Sequence, residues 1–200
     1  SGCDSVVITQ LTVTPSLSIN VSGNNTLCEG QSTTLTATGA STYSWSPSTG
    51  LNTTTGATVS ASPTATTTYV VTGTANGCSN STTFVLNVNP NPVIQTSGDV
   101  DVCSGQFVTL SASGASNYSW SPSTALNTTT GTTVVANPTS TITYTVIGTD
   151  NGCSASSSIT VNVIAQPVVN VSASTTSICN GQSATLTASG ADTYTWSPST

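Results

Sequence analysis

Six cysteines are the residues of this chain whose type and spacing could do chemistry. They form two series with a period of about 75 residues, one of Cys3, Cys78 and Cys153 and the other of Cys28, Cys103 and Cys179. Cysteines that recur on a long period are typical of a disulfide framework, which forms in an oxidising, extracellular compartment. Because the chain has no His and no Cys-x-x-Cys motif, we predict neither a metal nor another cofactor.

A repeated phrase shows which elements must position these cysteines. Tyr-x-Trp-Ser-Pro-Ser-Thr occurs three times, and its Trp lies 17 residues after a cysteine of the second series each time. Such self-similarity indicates an array of like modules. We predict the C-terminal strand of a preceding repeat (1–14), two complete repeats (16–89 and 91–165) and the N-terminal part of a further repeat (167–200).

Composition excludes several classes of partner. The chain has no Lys, Arg or His, and its six acidic residues give a formal net charge of −6. Nucleic-acid binding needs cations that displace phosphate counterions, so we expect no nucleic-acid partner. The sequence has no apolar run near the roughly 18 residues that a membrane span requires, so we expect no membrane insertion.

Catalysis also lacks its usual groups, and we predict that the chain is not an enzyme. No His or Lys is present to act as a base. The one close acidic pair, Asp99 and Asp101, is interpreted as solvated carboxylates at a strand edge, with a weak calcium contact as the alternative.

Apolar and polar residues alternate through each repeat. Tyr43 and Trp45 share one face of a predicted strand, while Ser44 and Ser46 share the other. About seven such strands and a mid-repeat Trp indicate a two-sheet sandwich of immunoglobulin type. The predicted fold class is therefore all-β, with tandem immunoglobulin-like β-sandwich repeats of about 75 residues in an extended array. The predicted core anchors are the aromatic residues of the phrase: Tyr43, Trp45, Tyr118, Trp120, Tyr194 and Trp196.

Two disulfide patterns remain open. One bond within each repeat would join Cys28 to Cys78 and Cys103 to Cys153, whereas a bond across the junction would join Cys28 to Cys153. An immunoglobulin strand path puts Cys28 and Cys78 at opposite ends of a sandwich, about ten strand residues apart at about 3.3 Å each. A disulfide requires Cα atoms within about 7 Å, so the within-repeat bond needs a different strand path. Cys3 and Cys179 are expected to pair outside the sequence.

Hydroxyl and amide side chains suggest covalent glycans. The chain has only six charged residues to keep a β-rich surface soluble, and attached sugar would supply the missing polarity. The sequon at Asn52 recurs at Asn127 within a shared Leu-Asn-Thr-Thr-Thr-Gly. The glycosylation candidates are Ser5, Asn52, Thr53, Thr54, Asn127, Thr128 and Thr129.

Four stretches together resemble a known family. They are Cys-Glu-Gly-Gln-Ser-Thr-Thr-Leu-Thr-Ala (28–37), Tyr-Ser-Trp-Ser-Pro-Ser-Thr-Gly-Leu (43–51), Ser-Pro-Thr-Ala-Thr-Thr-Thr-Tyr-Val-Val (62–71) and Asn-Gly-Cys-Ser (76–79). They are similar to the immunoglobulin-like and PKD-like tandem repeats of large bacterial surface adhesins, including proteins exported by type IX secretion. The resemblance implies a sandwich fold, an extracellular place and no particular activity. It also implies that Asp4-Ser5-Val6 resembles an O-glycosylation signal of such bacteria.

The sequence thus predicts a structural repeat segment of a secreted, cell-surface or filament-forming glycoprotein, forming an extended rod stapled by disulfides. The expected partners are copies of itself, in tandem repeats, in a helical fibre or by strand exchange through residues 1–14, together with covalent glycans. Two alternatives remain: adhesin repeats that bind glycans or surfaces directly, and the stalk of a secreted enzyme.

Overall fold

The computed structural model describes residues 16–198, and its described part is all-β, with no helix. Cys3, Ser5 and the predicted strand within 1–14 lie outside the described residues. The strands of residues 16–93 are β1 (Asn20–Ser22), β2 (Thr26–Cys28), β3 (Thr33–Thr38), β4 (Thr42–Ser46), β5 (Thr58–Ala61), β6 (Thr67–Ala75) and β7 (Cys78–Asn89).

The first repeat is a two-sheet sandwich. One sheet has the order β1-β3-β5 and the other the order β2-β7-β6-β4, with β2 parallel to the end of β7. Gly23 lies between β1 and β2, and its φ of 146° is open chiefly to glycine. This glycine lets the first strand of the sandwich divide between the two sheets, which places the Trp on the fourth strand.

Alternation along the strands builds the core between the two sheets. Tyr43 and Trp45 are buried on β4, and Tyr69 and Val71 are fully buried on β6, whereas Val70 between them is exposed. Leu35 on β3 completes this set with no accessible surface. Side chains on successive strand residues point to opposite faces, so the period of two in the sequence becomes one apolar layer.

The second repeat has the same plan. Its strands are β8 (Gln95–Thr96), β9 (Val100–Cys103), β10 (Val108–Ser113), β11 (Asn117–Ser121), β12 (Thr133–Ala136), β13 (Ile142–Asp150) and β14 (Cys153–Ile164). The sheets have the orders β12-β10-β8 and β11-β13-β14-β9, again with β9 parallel to β14. Tyr118 and Trp120 are buried in this core, as Tyr43 and Trp45 are in the first.

Contacts divide the described chain into two compact units. One comprises 16–93 together with 149–155, and the other comprises 94–148 together with 156–198. The turn between β13 and β14 therefore belongs to the first unit, although the strands that it joins are mostly in the second.

The loop 47–57 closes the edges of both sheets in the first repeat. Trp45 N–H donates to Thr54 O at 2.8 Å, which extends β4, and Asn52 N–H donates to Ser60 O at 3.0 Å, which extends β5. The matching bonds in the second repeat join Trp120 to Thr129 at 2.8 Å and Asn127 to Val135 at 3.0 Å. An uncovered strand edge is a template for aggregation, so these loops protect the sandwiches.

The described part of the third repeat contains two antiparallel strands, β15 (Asn170–Ala173) and β16 (Leu186–Ser189). Tyr194 is 36% exposed and Trp196 50% exposed. Residues 167–198 contain no counterpart of β5, β6 and β7, which cover Trp45 in the first repeat, so the assignment of Tyr194 and Trp196 as core anchors stays a prediction.

Candidate functional site

A disulfide joins Cys28 at the end of β2 to Cys153 at the start of β14, with their Cα atoms 5.5 Å apart. Cys153 follows the Asn151-Gly152 turn, in which both residues have positive φ, 47° and 81°. That backbone is the one an Asn-Gly hairpin turn requires. Cys28 Sγ lies 3.7 Å from Gly152 O, so the turn packs directly against the bond.

Amide side chains frame this disulfide. Asn89 Nδ2–H donates to Asn151 O at 2.9 Å, and Asn91 Nδ2–H donates to Glu29 O at 3.1 Å. The N–H of Glu29 donates to Asn89 O at 2.9 Å. These three hydrogen bonds join uncharged groups, and the chain has no Lys, Arg or His that could add an ion pair between side chains.

The register of β2 against β7 shows why the within-repeat bond is wrong. Cys28 pairs with Asn89 at the end of β7, while Cys78 begins this 12-residue strand. At about 3.3 Å per residue, these ends are roughly 36 Å apart, against the about 7 Å that a disulfide allows. The same register, Cys103 beside Ile164, excludes a bond from Cys103 to Cys153. Of the two patterns open from sequence, the structure contains Cys28–Cys153.

The glycosylation candidates fall into two groups. Asn52 Oδ1 accepts the N–H of Ser60 and Asn127 Oδ1 that of Val135, each at 2.7 Å, so the repeated asparagine shapes its loop. The remaining candidates described are threonines of the same two loops. Thr53 and Thr128 are half-buried: Thr53 Oγ1 accepts the N–H of Thr55, and Thr128 Oγ1 accepts the N–H of Thr130, each at 3.3 Å. Thr54 and Thr129 are exposed.

Asp99 and Asp101 are bonded to the neighbouring strand. Asp99 Oδ1 accepts the N–H of Thr160 at 2.7 Å, and Asp101 Oδ1 accepts Asn162 Nδ2–H at 3.0 Å. Within residues 16–198, no group of three or more His, Cys, Asp or Glu side chains could hold a metal ion. The pair therefore acts as hydrogen-bond acceptors along β14.

The hydroxyl and indole N–H groups of the buried aromatic residues form hydrogen bonds with backbone groups. Tyr43 Oη donates to Ala40 O at 2.9 Å and accepts its N–H at 2.7 Å, and Trp45 Nε1–H donates to Gly56 O at 3.0 Å. Tyr69 Oη donates to Thr49 O at 2.7 Å, which ties the Ser-Pro-Ser-Thr turn to β6. Burial raises the pKa of Tyr69 and of its counterpart Tyr144 above the usual 10.0. The repeated phrase is thus internal architecture.

An apolar groove in the second repeat was missed by the sequence reasoning. Phe107 is 75% exposed and forms one wall of a groove of about 240 Å³, whose other lining residues are Ala125, Leu126, Asn127, Val135 and Asn137. The signal lay in a comparison of the two repeats: Ser32, Gly50 and Ser60 stand where the second repeat has Phe107, Ala125 and Val135. At these three positions the second repeat is more apolar than the first.

Comparison with solved structures supports the immunoglobulin-like fold. The C-terminal 282-residue fragment of intimin, solved in complex with the intimin-binding domain of the translocated intimin receptor, aligns with a TM-score of 0.51 and 15% identity, over 80% of this chain and 67% of that one. The I67–I69 fragment of titin aligns at 0.41 and 13%, over 87% and 77%, and three N-terminal domains of the bacteriophage RB49 outer capsid protein Hoc align at 0.38 and 20%, over 80% and 61%.

The intimin likeness shows the fold alone, since the sequences have diverged far, and the other two TM-scores are too low to add to it. No protein-family model matches the chain, and no curated protein matches it in sequence. The described residues also contain no helix long and apolar enough to cross a membrane.

Proposed function

We propose that the chain is a structural repeat segment of a secreted or cell-surface protein, in which disulfides link consecutive immunoglobulin-like repeats. The observation that carries this proposal is the Cys28–Cys153 bond, which connects the first predicted repeat to the second across 125 residues. Such a bond persists in an oxidising compartment. It holds where a chain without cations can form no salt bridges between side chains.

Peptide mapping of native material under non-reducing conditions tests this function. We expect a peptide containing Cys28 joined to a peptide containing Cys153. Free thiols at both positions in freshly isolated protein, alkylated before lysis, would contradict the proposal, as would either cysteine joined to Cys78 or Cys103. Recombinant chain refolded in a glutathione buffer provides the matched reference.

Covalent glycans on the loops 52–55 and 127–130 form the second part of the proposal. Thr54 and Thr129 are exposed, and the loops that carry them are fixed on both sides by strand-like hydrogen bonds. Their hydroxyls are accessible while the neighbouring Thr53 and Thr128 serve the turn. Sugar at these positions would cover the protected sheet edges and add polarity to a surface with few charges.

Intact-mass measurement of native protein tests the glycans. We expect a mass above the 19.8 kDa of the polypeptide, reduced stepwise by Thr54→Val and Thr129→Val. Native protein at the bare polypeptide mass would rule the modification out. Asn52→Gln and Asn127→Gln distinguish N-linked from O-linked sugar at the same loops.

Direct binding of glycans or surfaces is a second candidate function, and the Phe107 groove favours it. An exposed aromatic ring beside the amides of Asn127 and Asn137 combines an apolar face with a few polar groups, as small-molecule sites do. A screen of immobilised glycans should find ligands that wild-type protein retains and Phe107→Ser loses. Equal retention by both proteins would remove this candidate. Ser32→Ala, at the matching position of the first repeat, is the control.

A further inference from the structure

Cys28, Glu29, Asn89 and Asn91 form the docking site of the 151–153 hairpin, which we call the seat. A similar arrangement surrounds Cys103. Cys28 lies in register with Asn89, and Cys103 lies in register with Ile164 on the parallel strand. Gln31 N–H donates to Cys28 O and Gln106 N–H donates to Cys103 O, both at 3.0 Å. The two cysteines therefore end parallel strands and begin turns of the same form.

The frame beside each cysteine also matches. Ser104 N–H donates to Ile164 O at 3.0 Å, as Glu29 N–H does to Asn89 O at 2.9 Å. Gln166 Nε2 lies 3.5 Å from Ser104 O, in the place of the bond from Asn91 to Glu29 O. One position differs: Ile164 replaces Asn89, whose amide holds Asn151 O, so the second seat presents a 55% exposed apolar side chain there.

The hairpin bound at Cys28 indicates what kind of group the matching site at Cys103 would bind. At Cys28 the occupant is an Asn-Gly-Cys hairpin supplied by the following repeat. Cys103 is exposed and forms no disulfide within the described residues. Two matching seats in one chain, one of them filled, show which ligand fits this backbone arrangement.

We propose that Cys103 is the attachment site for the Asn-Gly-Cys hairpin of a further repeat, through a disulfide equivalent to Cys28–Cys153. The inference rests on the proposed structural function and adds its direction: the turn cysteine of each repeat receives the hairpin cysteine of the next. The further repeat is one that follows in a longer chain or one in a second copy of this chain.

A small-molecule disulfide such as oxidised glutathione is the oxidant. The Cys103 thiolate attacks one glutathione sulfur, forming a mixed disulfide and releasing one glutathione thiolate. The hairpin thiolate then attacks the Cys103 sulfur and releases the second glutathione. Two protein thiols are oxidised to one disulfide, and one oxidised glutathione is reduced to two thiols, with the two protons passing to the released thiolates.

A chain with a complete third repeat tests the proposal. Residues 167–200 are replaced by a copy of residues 92–165 in which the cysteine copied from Cys103 is changed to serine, so that the copy supplies one cysteine, the hairpin cysteine copied from Cys153. After refolding with glutathione, we expect a Cys103 peptide joined to the copied hairpin and a loss of Cys103 alkylation. A variant with serine in place of the copied cysteine should restore alkylation of Cys103.

The same peptide map distinguishes failure of this proposal from failure of the proposed function. Cys28 joined to Cys153 with Cys103 still alkylated overturns the attachment site alone, whereas loss of both bonds overturns the function as well. Tryptophan fluorescence reports whether the added repeat is folded. If it is not, the unaltered chain decides: Cys103 must then react with oxidised glutathione at a rate different from Cys179, which is also exposed but has no parallel strand beside it among residues 16–198. Equal rates overturn the seat.

The source of the hairpin is read from the unaltered chain at rising concentration. Dimers joined through Cys103, absent in Cys103→Ser and retained in Cys179→Ser, assign it to a second copy. Monomers throughout, together with the bond in the extended chain, assign it to a repeat that follows in the same chain.

Discussion

At the scale of single residues, the phenol hydroxyls of buried tyrosines fix the loops of each sandwich by hydrogen bonds to backbone carbonyls. Tyr69 Oη reaches Thr49 O and Tyr144 Oη reaches Thr124 O, at 2.7 and 2.8 Å, in the same place of each repeat. Each such bond contributes about 1 kcal/mol, and leaving its partner buried without a donor costs more. Conversion of either phenol to a phenolate would end its bond.

This pair predicts a loss of stability in alkali. Burial raises the pKa of Tyr69 and Tyr144 in the folded chain, while unfolding returns both to about 10. Their contribution is therefore fully present below about pH 10 and falls as the pH rises toward the folded pKa, because the unfolded state then loses protons first. Urea unfolding between about pH 8 and about pH 11.5 should show this fall. The double variant Tyr69→Phe with Tyr144→Phe should show a smaller one, and parallel curves would contradict the assignment.

At the scale of elements, alternation predicted the strands well and their division between sheets poorly. Tyr43 and Trp45 lie inward on β4 as the sequence indicated, because a period of two leaves them one choice of face. The split into β1 and β2 depends on two three-residue strands around Gly23, which are too short to show alternation. The groove at Phe107 was invisible within one repeat, since a single exposed aromatic residue follows no pattern, and it emerges only from the difference between two repeats.

We predict that the hydrogen bonds of the loop 47–57 limit aggregation of the chain. Asn52→Ala should remove the acceptor for Ser60 N–H, cost about 1 kcal/mol, and expose the edge of β5. We expect a lower melting temperature and faster aggregation, measured by light scattering below the transition. Thr54→Ala is the matched control, because its exposed side chain lies in the same loop and only its carbonyl is used. Equal behaviour of the two variants would show that Asn52 does not protect the edge.

Close packing at Gly73 gives a second test at this scale. A Cβ added there would lie 2.7 Å from Ala40 Cβ, closer than two carbons can approach without movement. Gly73→Ala should destabilise the first repeat by about 1 to 3 kcal/mol, as overpacking does in cores. Chemical denaturation checks this, with the exposed Thr68→Ala on the same strand as control. Unchanged stability would mean that Ala40 and the Ile19 side chain, which also lies against this position, move aside more easily than the contact suggests.

At the scale of the whole molecule, the sequence left the cysteine pairing open and the strand path decides it. The parallel pairing of β2 with β7 puts Cys28 at one end of a sandwich and Cys78 at the other, so Cys28 can form a bond only with a cysteine from outside its own repeat. Composition alone could not predict the cysteine pairing, because the pairing depends on where the strands end.

The disulfide should stabilise the first compact unit chiefly by restricting its unfolded state. Closing a loop across 125 residues is worth about 4 to 5 kcal/mol in the chain-entropy estimate. The double variant Cys28→Ala with Cys153→Ala should therefore melt well below wild type, and it tests the bond better than reduction does because the other cysteines stay unaltered. Cys103→Ser should leave the melting temperature of the 200-residue chain unchanged, since its side chain is exposed and forms no disulfide in the described residues. If both variants melted with wild type, the bond would connect two repeats without stabilising either, and its value would lie only in keeping neighbouring repeats joined when one unfolds.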